Sequence, residues 1–377
     1  MVKLGDICTF QSGGTPSKSN SEYFNGSIPW ITTVALTGDY IDKNDAVDWI
    51  TDKAIQESAA KIVPENSIMV GTRVGIGKVA INTVPMSTSQ DIVSLMNIDD
   101  AKWDKKFLCK VISARNPYLL SQARGATIKG IKIDTLAKLE IPKIPLNEQR
   151  RIAAVLDKVS GLIAKRREQL DKLDELVKAR FVEMFGDEQK RMLISDVCKI
   201  ITDGTHQPPP FVSEGIPFLF VSNIVTNAIT YDTEKYITQD TYDELIKRTP
   251  IEIGDILLST VGSYGHPAIV KDNRKFLFQR HIAYLKPKAE VVYSEYLYSA
   301  LLSDDVQKQI EGKVKGVAQK TLNLSEIRTI SIPIPSRDKQ KTFCHNLEKI
   351  GKRKLTIQQS LDKLEVLKKA LMQEYFG

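Results

Sequence analysis

From residue 147 onward the apolar side chains Ile152, Val155, Leu156, Val159, Leu162, Ile163, Leu170, Leu173, Leu176, Val177 and Phe181 recur at spacings of three and four. This spacing predicts a helix. No proline interrupts it for about 40 residues, so at 1.5 Å per residue the helix would be roughly 60 Å long. A second stripe closes the chain with Phe343, Leu347, Ile350, Ile357, Leu361, Leu364, Leu367, Leu371 and Tyr375. Five of these, Phe343, Ile350, Ile357, Leu364 and Leu371, stand seven apart. Helices of this length cannot hide a whole apolar face against a small domain, so the two stripes are expected to bury each other as a coiled coil. The first helix leads at Gly186 into a further β-rich stretch and the second must return for the termini to approach, which predicts antiparallel packing.

Ahead of each long helix the pattern changes to short apolar runs punctuated by Gly, Asn, Asp and Pro. Residues 67–71, 92–95, 255–259 and 282–285 read as buried strands, and 107–112 and 294–302 as short helices. A Pro-x-x-Pro segment at 142–145 and a Pro-x-Pro segment at 333–335 stop the preceding strand and introduce each long helix. The expected fold class is therefore α+β, with domains at 1–145 and 188–336 and long helices at 146–187 and 337–377.

The two halves are copies. Residues 142–186 align without a gap on 333–377, pairing Gln149 with Gln340, Leu156 with Leu347 and Lys158 with Lys349, and the segment Leu170-Asp171-Lys172-Leu173 recurs as Leu361-Asp362-Lys363-Leu364. The globular parts repeat more faintly. Asp6-Ile7-Cys8 returns as Asp196-Val197-Cys198, Gly14-Thr15 as Gly204-Thr205, and Gln90-Asp91-Ile92-Val93 resembles Gln279-Arg280-His281-Ile282. A shared framework with different details is expected of two modules with one architecture and two ligands, because loops vary on a fixed scaffold without disturbing its core.

Composition narrows the class. The 377 residues suffice for two domains, and 42% hydrophobic with 26% charged residues describes a globular protein with no apolar run near the roughly 20 residues needed to cross a bilayer. The start lacks the apolar stretch of a secretory signal, so a cytoplasmic location with no membrane is expected. Cys8, Cys109, Cys198 and Cys344 show no CxxC spacing and read as free thiols. A net charge of +7 points weakly to a polyanionic partner.

Enzymatic signals do not hold together. Gly71 to Lys78 resembles a phosphate loop, but Thr72 stands where a Walker glycine is required and Val79 replaces the Mg-binding hydroxyl, leaving a glycine-rich turn between strands. The four histidines have no partner at metal-ligand spacing. Asn116-Pro117-Tyr118 is one proline short of the amino-methyltransferase motif, has no cofactor loop beside it, and reads as an ordinary turn. No cofactor and no catalytic residue are expected.

The duplicated β-rich module closed by a long helix resembles the DNA-specificity subunit of type I restriction-modification enzymes over the whole chain. The likeness rests on Leu146-Asn147-Glu148-Gln149-Arg150-Arg151-Ile152-Ala153 at the first helix start, on Asp203-Gly204-Thr205-His206 followed by Gly215-Ile216-Pro217-Phe218, and on Gly254-Asp255-Ile256-Leu257-Leu258 leading to Gly262-Ser263-Tyr264-Gly265. The second helix departs from the family pattern, with Lys339-Gln340-Lys341-Thr342-Phe343-Cys344 at its start.

The resemblance implies two target-recognition domains in pseudo-two-fold tandem repeat, each reading half of a bipartite double-stranded DNA target from the major groove. It also implies spacer helices on which two methyltransferase subunits dock, through them restriction subunits, and no bond chemistry by this chain. Docking is expected at Gln149, Ile152, Gln340 and Phe343. Candidate DNA contacts, from residue type and nearness to glycine-rich turns, are Arg73, Lys78, Gln90, Arg124 and Lys129 in the first module. In the second they are His206, His266, Gln279, Arg280, Lys315 and Lys320. The alternative for each is a solvated surface group, and the alternative for the chain is a coiled-coil adaptor without DNA selectivity.

Overall fold

The computed structural model describes all residues except 126–128 and 317–318. It divides into two compact units, one formed by Met1–Lys165 with Leu361–Gly377 and the other by Arg166–Ser360. The division cuts both long helices, Leu146–Phe185 and Arg337–Phe376, so each unit contains part of each helix.

In the first unit a five-stranded sheet runs in the order Thr9–Ser12, Ile92–Met96, Ile68–Gly71, Val79–Asn82, Tyr40–Ile41. A second sheet orders Asp48–Ile50, Phe24–Ile31, Met86–Thr88 and Ile62–Val63. Strand residues point alternately to opposite faces, and here both faces are covered. Ile68 and Val70 face a core shared with Phe107, Val111, Ile152 and Leu156, while Met69 between them faces Ile31, Ile41 and Met86. Burial on both sides is why this strand reads as an unbroken apolar run.

The second unit repeats the plan with fewer strands. Cys198–Asp203, Ile282–Pro287, Ile256–Ser259 and Pro267–Ile269 form the central sheet, and Tyr236–Ile237, Ile216–Leu219 and Leu277–Phe278 the other. Ile256 and Leu258 face Tyr296, Leu297 and Phe343, and Leu257 faces Phe276, Phe278 and Tyr284. A short antiparallel pair ties the start of each domain to the strand before its long helix, Val2 opposite Ile141 and Met192 opposite Ile332.

The strand ladders correct the sequence alignment in two places. Thr9 lies opposite Met96, but the equivalent strand slips at a bulge between Cys198 and Ile200, after which Ile200 lies opposite Lys286. A bulge inserts one residue, here Lys199, so the counterpart of Gly204 is Gly13 rather than Gly14. Their main-chain hydrogen bonds agree: Gly13 donates to Ile92 O and Gly204 to Ile282 O. Likewise Ser89 donates to Ile31 O and Gln279 to Leu219 O, so Gln279 corresponds to Ser89, and Arg280 to Gln90.

Within the second unit the helices run antiparallel. Arg166 Nε lies 3.3 Å from Ser360 Oγ, Asp174 pairs with Lys354 at 2.6 Å, and the Phe181 and Phe343 rings are 5.6 Å apart, so one sequence rises as the other falls. Within the first unit Ile152 and Leu156 share a core with Leu371, Met372, Tyr375 and Phe376. Three leucines counted into the stripes lie off the seam: Leu162, Leu176 and Leu367 are 39%, 48% and 45% exposed. Asn116-Pro117-Tyr118 is also not a turn. It opens the helix Asn116–Ser121, with the proline in the first turn where its missing N–H costs nothing.

Candidate nucleic-acid interface

Three loops meet at one end of the central sheet in each unit, held by the same main-chain bonds. In the first unit the glycine-rich turn after Gly71 receives a hydrogen bond from one neighbour and gives one to the other: Ile131 N to Thr72 O at 2.8 Å, and Thr72 N to Asp91 O at 2.8 Å. Arg124 and Gly130 close the third loop by exchanging two 2.9 Å bonds. In the second unit Leu322 N donates to Thr260 O at 2.8 Å, Thr260 N to His281 O at 3.0 Å, and Lys315 with Thr321 closes the third loop. The turns themselves match. Gly77, at φ 77°, donates to Gly71 O, and Gly265, at φ 81°, donates to Ser259 O, a left-handed conformation that glycine adopts without steric cost. The strand Val79–Asn82 follows the first turn, where a phosphate loop would need a helix.

This geometry gathers the sequence-selected residues. Arg73, Lys78, Gln90, Arg124 and Lys129 are all exposed on the three loops of the first unit. Arg73 Nη1 stands 4.0 Å from Asp91 Oδ1, a loose pair that leaves about half of the Arg73 side chain exposed (49%), and the Lys78 stem packs beside Gly75. In the second unit Arg280 and Lys320 are exposed and Gln279 is half-buried. Lys315 is exposed but bonded to Glu326 at 2.6 Å, and that pairing holds the Glu326 carboxyl below its usual range. His266 is half-buried, with Nδ1 3.3 Å from Asn227 Oδ1. Burial, with Arg280 beside it, pushes the His281 imidazole below its ordinary value, so this ring is neutral at pH 7.

His206 joins the same surface, because Arg280 N donates to Thr205 O at 3.0 Å. Its Nε2 is 2.9 Å from Asp203 Oδ2, and the other carboxylate oxygen accepts from Arg248. Sequence reading passed over Arg248. It sits in a short 3-10 turn, Ile246–Arg248, about forty residues from its partners, and no local spacing links it to them.

The four residues expected to dock partners are instead interior. Gln149 is 1% exposed; its carbonyl oxygen accepts from Asp104 N, and its amide donates to Lys102 O and Ile144 O, all at 2.9 Å. Gln340 repeats the clamp with Tyr293 N, Val291 O and Pro335 O at 3.1, 3.3 and 3.1 Å. Ile152 and Phe343 lie in their own cores, 5% and 0% exposed. Side chains so enclosed have no surface or free hydrogen-bonding atom to offer a partner, so their assignment to docking is withdrawn.

Among the described residues no group of three His, Cys, Asp or Glu side chains is placed to hold a metal ion, and no helix is long and apolar enough to cross a membrane. What the loops offer is a set of N–H donors and amides held at the end of a hydrogen-bonded sheet.

Comparison with known proteins agrees with that offer. The chain is 25% identical to the type I restriction enzyme MjaIX specificity subunit of Methanocaldococcus jannaschii, over 98% of this chain and 90% of that one. The MjaVIII specificity subunit of the same organism is 24% identical over 99% of this chain and 90% of its own length. The crystal structure of a type I restriction-modification S subunit from M. genitalium superposes with a TM-score of 0.58 at 17% identity, covering 100% of this chain and 95% of that one. A chain from a structural study of type I R-M complex assembly and conformational transition gives 0.62 at 18%, covering 100% and 96%. The family model of the type I restriction modification DNA specificity domain matches twice, at residues 1–174 and 187–368, and with nearly the whole chain covered the protein belongs to that family.

Proposed function

We propose that the chain is the DNA-reading, non-catalytic subunit of a type I restriction-modification complex, each unit recognising one half of a bipartite double-stranded target. The observation that carries this is the three-loop end built twice with the same bonds and different side chains: Arg73, Gln90 and Arg124 at positions where the second unit has Val261, Arg280 and Lys315. One scaffold with two residue sets reads two sequences, since Arg and Gln form bidentate bonds to base edges in the major groove and Lys mostly meets phosphate.

In this reading the long helices set the unread gap between half-sites and carry two methyltransferase subunits, which supply the adenine chemistry and hold restriction subunits. With the buried glutamines excluded, docking falls to exposed helix residues. A groove of about 690 Å³ in the second unit, lined by Leu173, Leu176 and Ile357 and rimmed by Lys172, Lys352 and Arg353, supports this. Its work on cellular DNA implies a cytoplasmic location. The test is to co-express the chain with its methyltransferase subunits and map methylated adenines by single-molecule sequencing. A two-part motif with a fixed gap is expected; methylation without sequence preference would overturn the reading and leave an adaptor.

A further inference from the structure

Arg280 and His281 sit together on one of the three loops of the second unit, and main-chain bonds hold both. Arg280 N donates to Thr205 O at 3.0 Å, Ile282 N to Gln279 O at 3.1 Å, and Thr260 N to His281 O at 3.0 Å. On this fixed backbone Arg280 Nε donates to His281 Nε2 at 3.4 Å. A guanidinium has no acceptor, so the imidazole nitrogen supplies the lone pair and the ring carries its proton on Nδ1. Partial burial and the neighbouring Arg280 push the imidazole below its ordinary value, which keeps that lone pair available at pH 7. Arg280 is exposed and His281 half-buried, so the acceptor is the anchored partner. The equivalent position in the first unit, fixed by the matching bond from Thr72 N to Asp91 O, also faces an arginine: Asp91 Oδ1 lies 4.0 Å from Arg73 Nη1.

We propose that His281 is a positioning residue for DNA recognition by the second unit, holding Arg280 in the direction from which it meets the duplex. An exposed arginine loses side-chain entropy when it is ordered, and a bond already made in the free protein removes part of that cost. The bond takes the Nε hydrogen and leaves both Nη groups outside it, to meet acceptor atoms of a base edge or of a phosphate. A neutral ring suits this task better than a carboxylate, which would also restrain the arginine but would offset its charge and repel the polyanion. The first unit has such a carboxylate in Asp91.

This rests on the two-reader function proposed above, and the experiment separates the two. The full chain, in complex with its methyltransferase subunits, is titrated at pH 8 over a range of salt with duplexes carrying the mapped target or single base-pair changes in either half. The variants are Arg280→Ala, His281→Phe, His281→Gln and the double variant combining Arg280→Ala with His281→Phe. Phenylalanine keeps a ring and removes the acceptor, and should weaken binding about three- to tenfold. Glutamine returns an acceptor at similar reach, so His281→Gln should recover most of that loss. Adding His281→Phe to Arg280→Ala should cost nothing further, because the ring acts only through the arginine. Arg280→Ala and His281→Phe should also share one signature. Both relax discrimination at the same base pair if the Nη groups meet a base edge, or both lower the salt slope if they meet phosphate. Discrimination at the first half-site, kept in every variant, shows that the protein is folded. Wild-type binding by His281→Phe, equal harm from it with and without Arg280, no recovery in His281→Gln, or different signatures for the two single variants would overturn the positioning role. If the wild-type complex were indifferent to changes in the second half-site, the two-reader function itself would fall.

Discussion

Gly13 and Gly204 occupy the same place in the two units, each at the end of the first strand of its central sheet and each pressed against a neighbouring carbonyl. A Cβ at Gly13 would lie 2.2 Å from Ser89 O, and one at Gly204 2.2 Å from Phe278 O. Alanine at either position must push backbone aside. Each substitution is expected to cost about 1–3 kcal/mol, read as a lowered denaturation midpoint of the full chain. Gly161, on the exposed side of its helix with nothing within 4 Å of an added Cβ, is the control and should be neutral or slightly stabilising as alanine.

The paired clamps Gln149 and Gln340 make a second prediction. Gln149→Leu keeps the volume but leaves the Asp104 N–H and two carbonyls without partners, at a cost of about 1–3 kcal/mol for a buried group left unsatisfied. Gln149→Glu should be worse, since a carboxylate cannot donate to Lys102 O or Ile144 O. Thermal unfolding of the Gln149 and Gln340 variants should show matched losses, and no loss in either would contradict the clamp.

Separate readers predict separable defects. Arg73→Ala and Gln90→Ala should relax one half of the methylation motif, and Gln279→Ala and Arg280→Ala the other. Loss of a good base contact costs about 1–3 kcal/mol. The readout is again the map of methylated adenines, and a first-unit variant altering both halves equally would refute the division.

Inserting seven residues after Lys165, with a matching seven in the second helix, preserves the stripe's phase and adds roughly 10 Å of helix. The unread gap should grow by about three base pairs while both half-site sequences persist. A change in the bases read would count against the helices as a ruler.

Burial pushes the thiols of Cys8, Cys109 and Cys198 up to about 12 from an ordinary 9.0. The folded chain then keeps protons that the unfolded chain releases. Unfolding is therefore favoured as pH rises above about 9, and stability contributed by these groups falls between pH 9 and 12. At pH 8 alkylation of these three should require denaturation, and rapid labelling of the native protein would show that the cores are open.

The helices, the duplication and the buried strands were legible in the sequence because each rests on a local period: three to four for the stripes, an uninterrupted apolar run for a strand covered on both faces. Ile68-Met69-Val70 could be read that way without knowing that Met69 meets one core and its neighbours another. The Asp203, His206 and Arg248 trio, the Gln149 clamp and the true partner of Gly204 could not. Each depends on bonds between segments far apart in the chain, and the bulge at Lys199 shifts the repeat by one residue without leaving any mark on local hydrophobicity. Composition and periodicity determine what each segment can bury. Only the tertiary structure decides which polar atoms are consumed in holding the fold, as in Gln149 and Gln340, and which, as in the exposed Arg280, are left facing solvent.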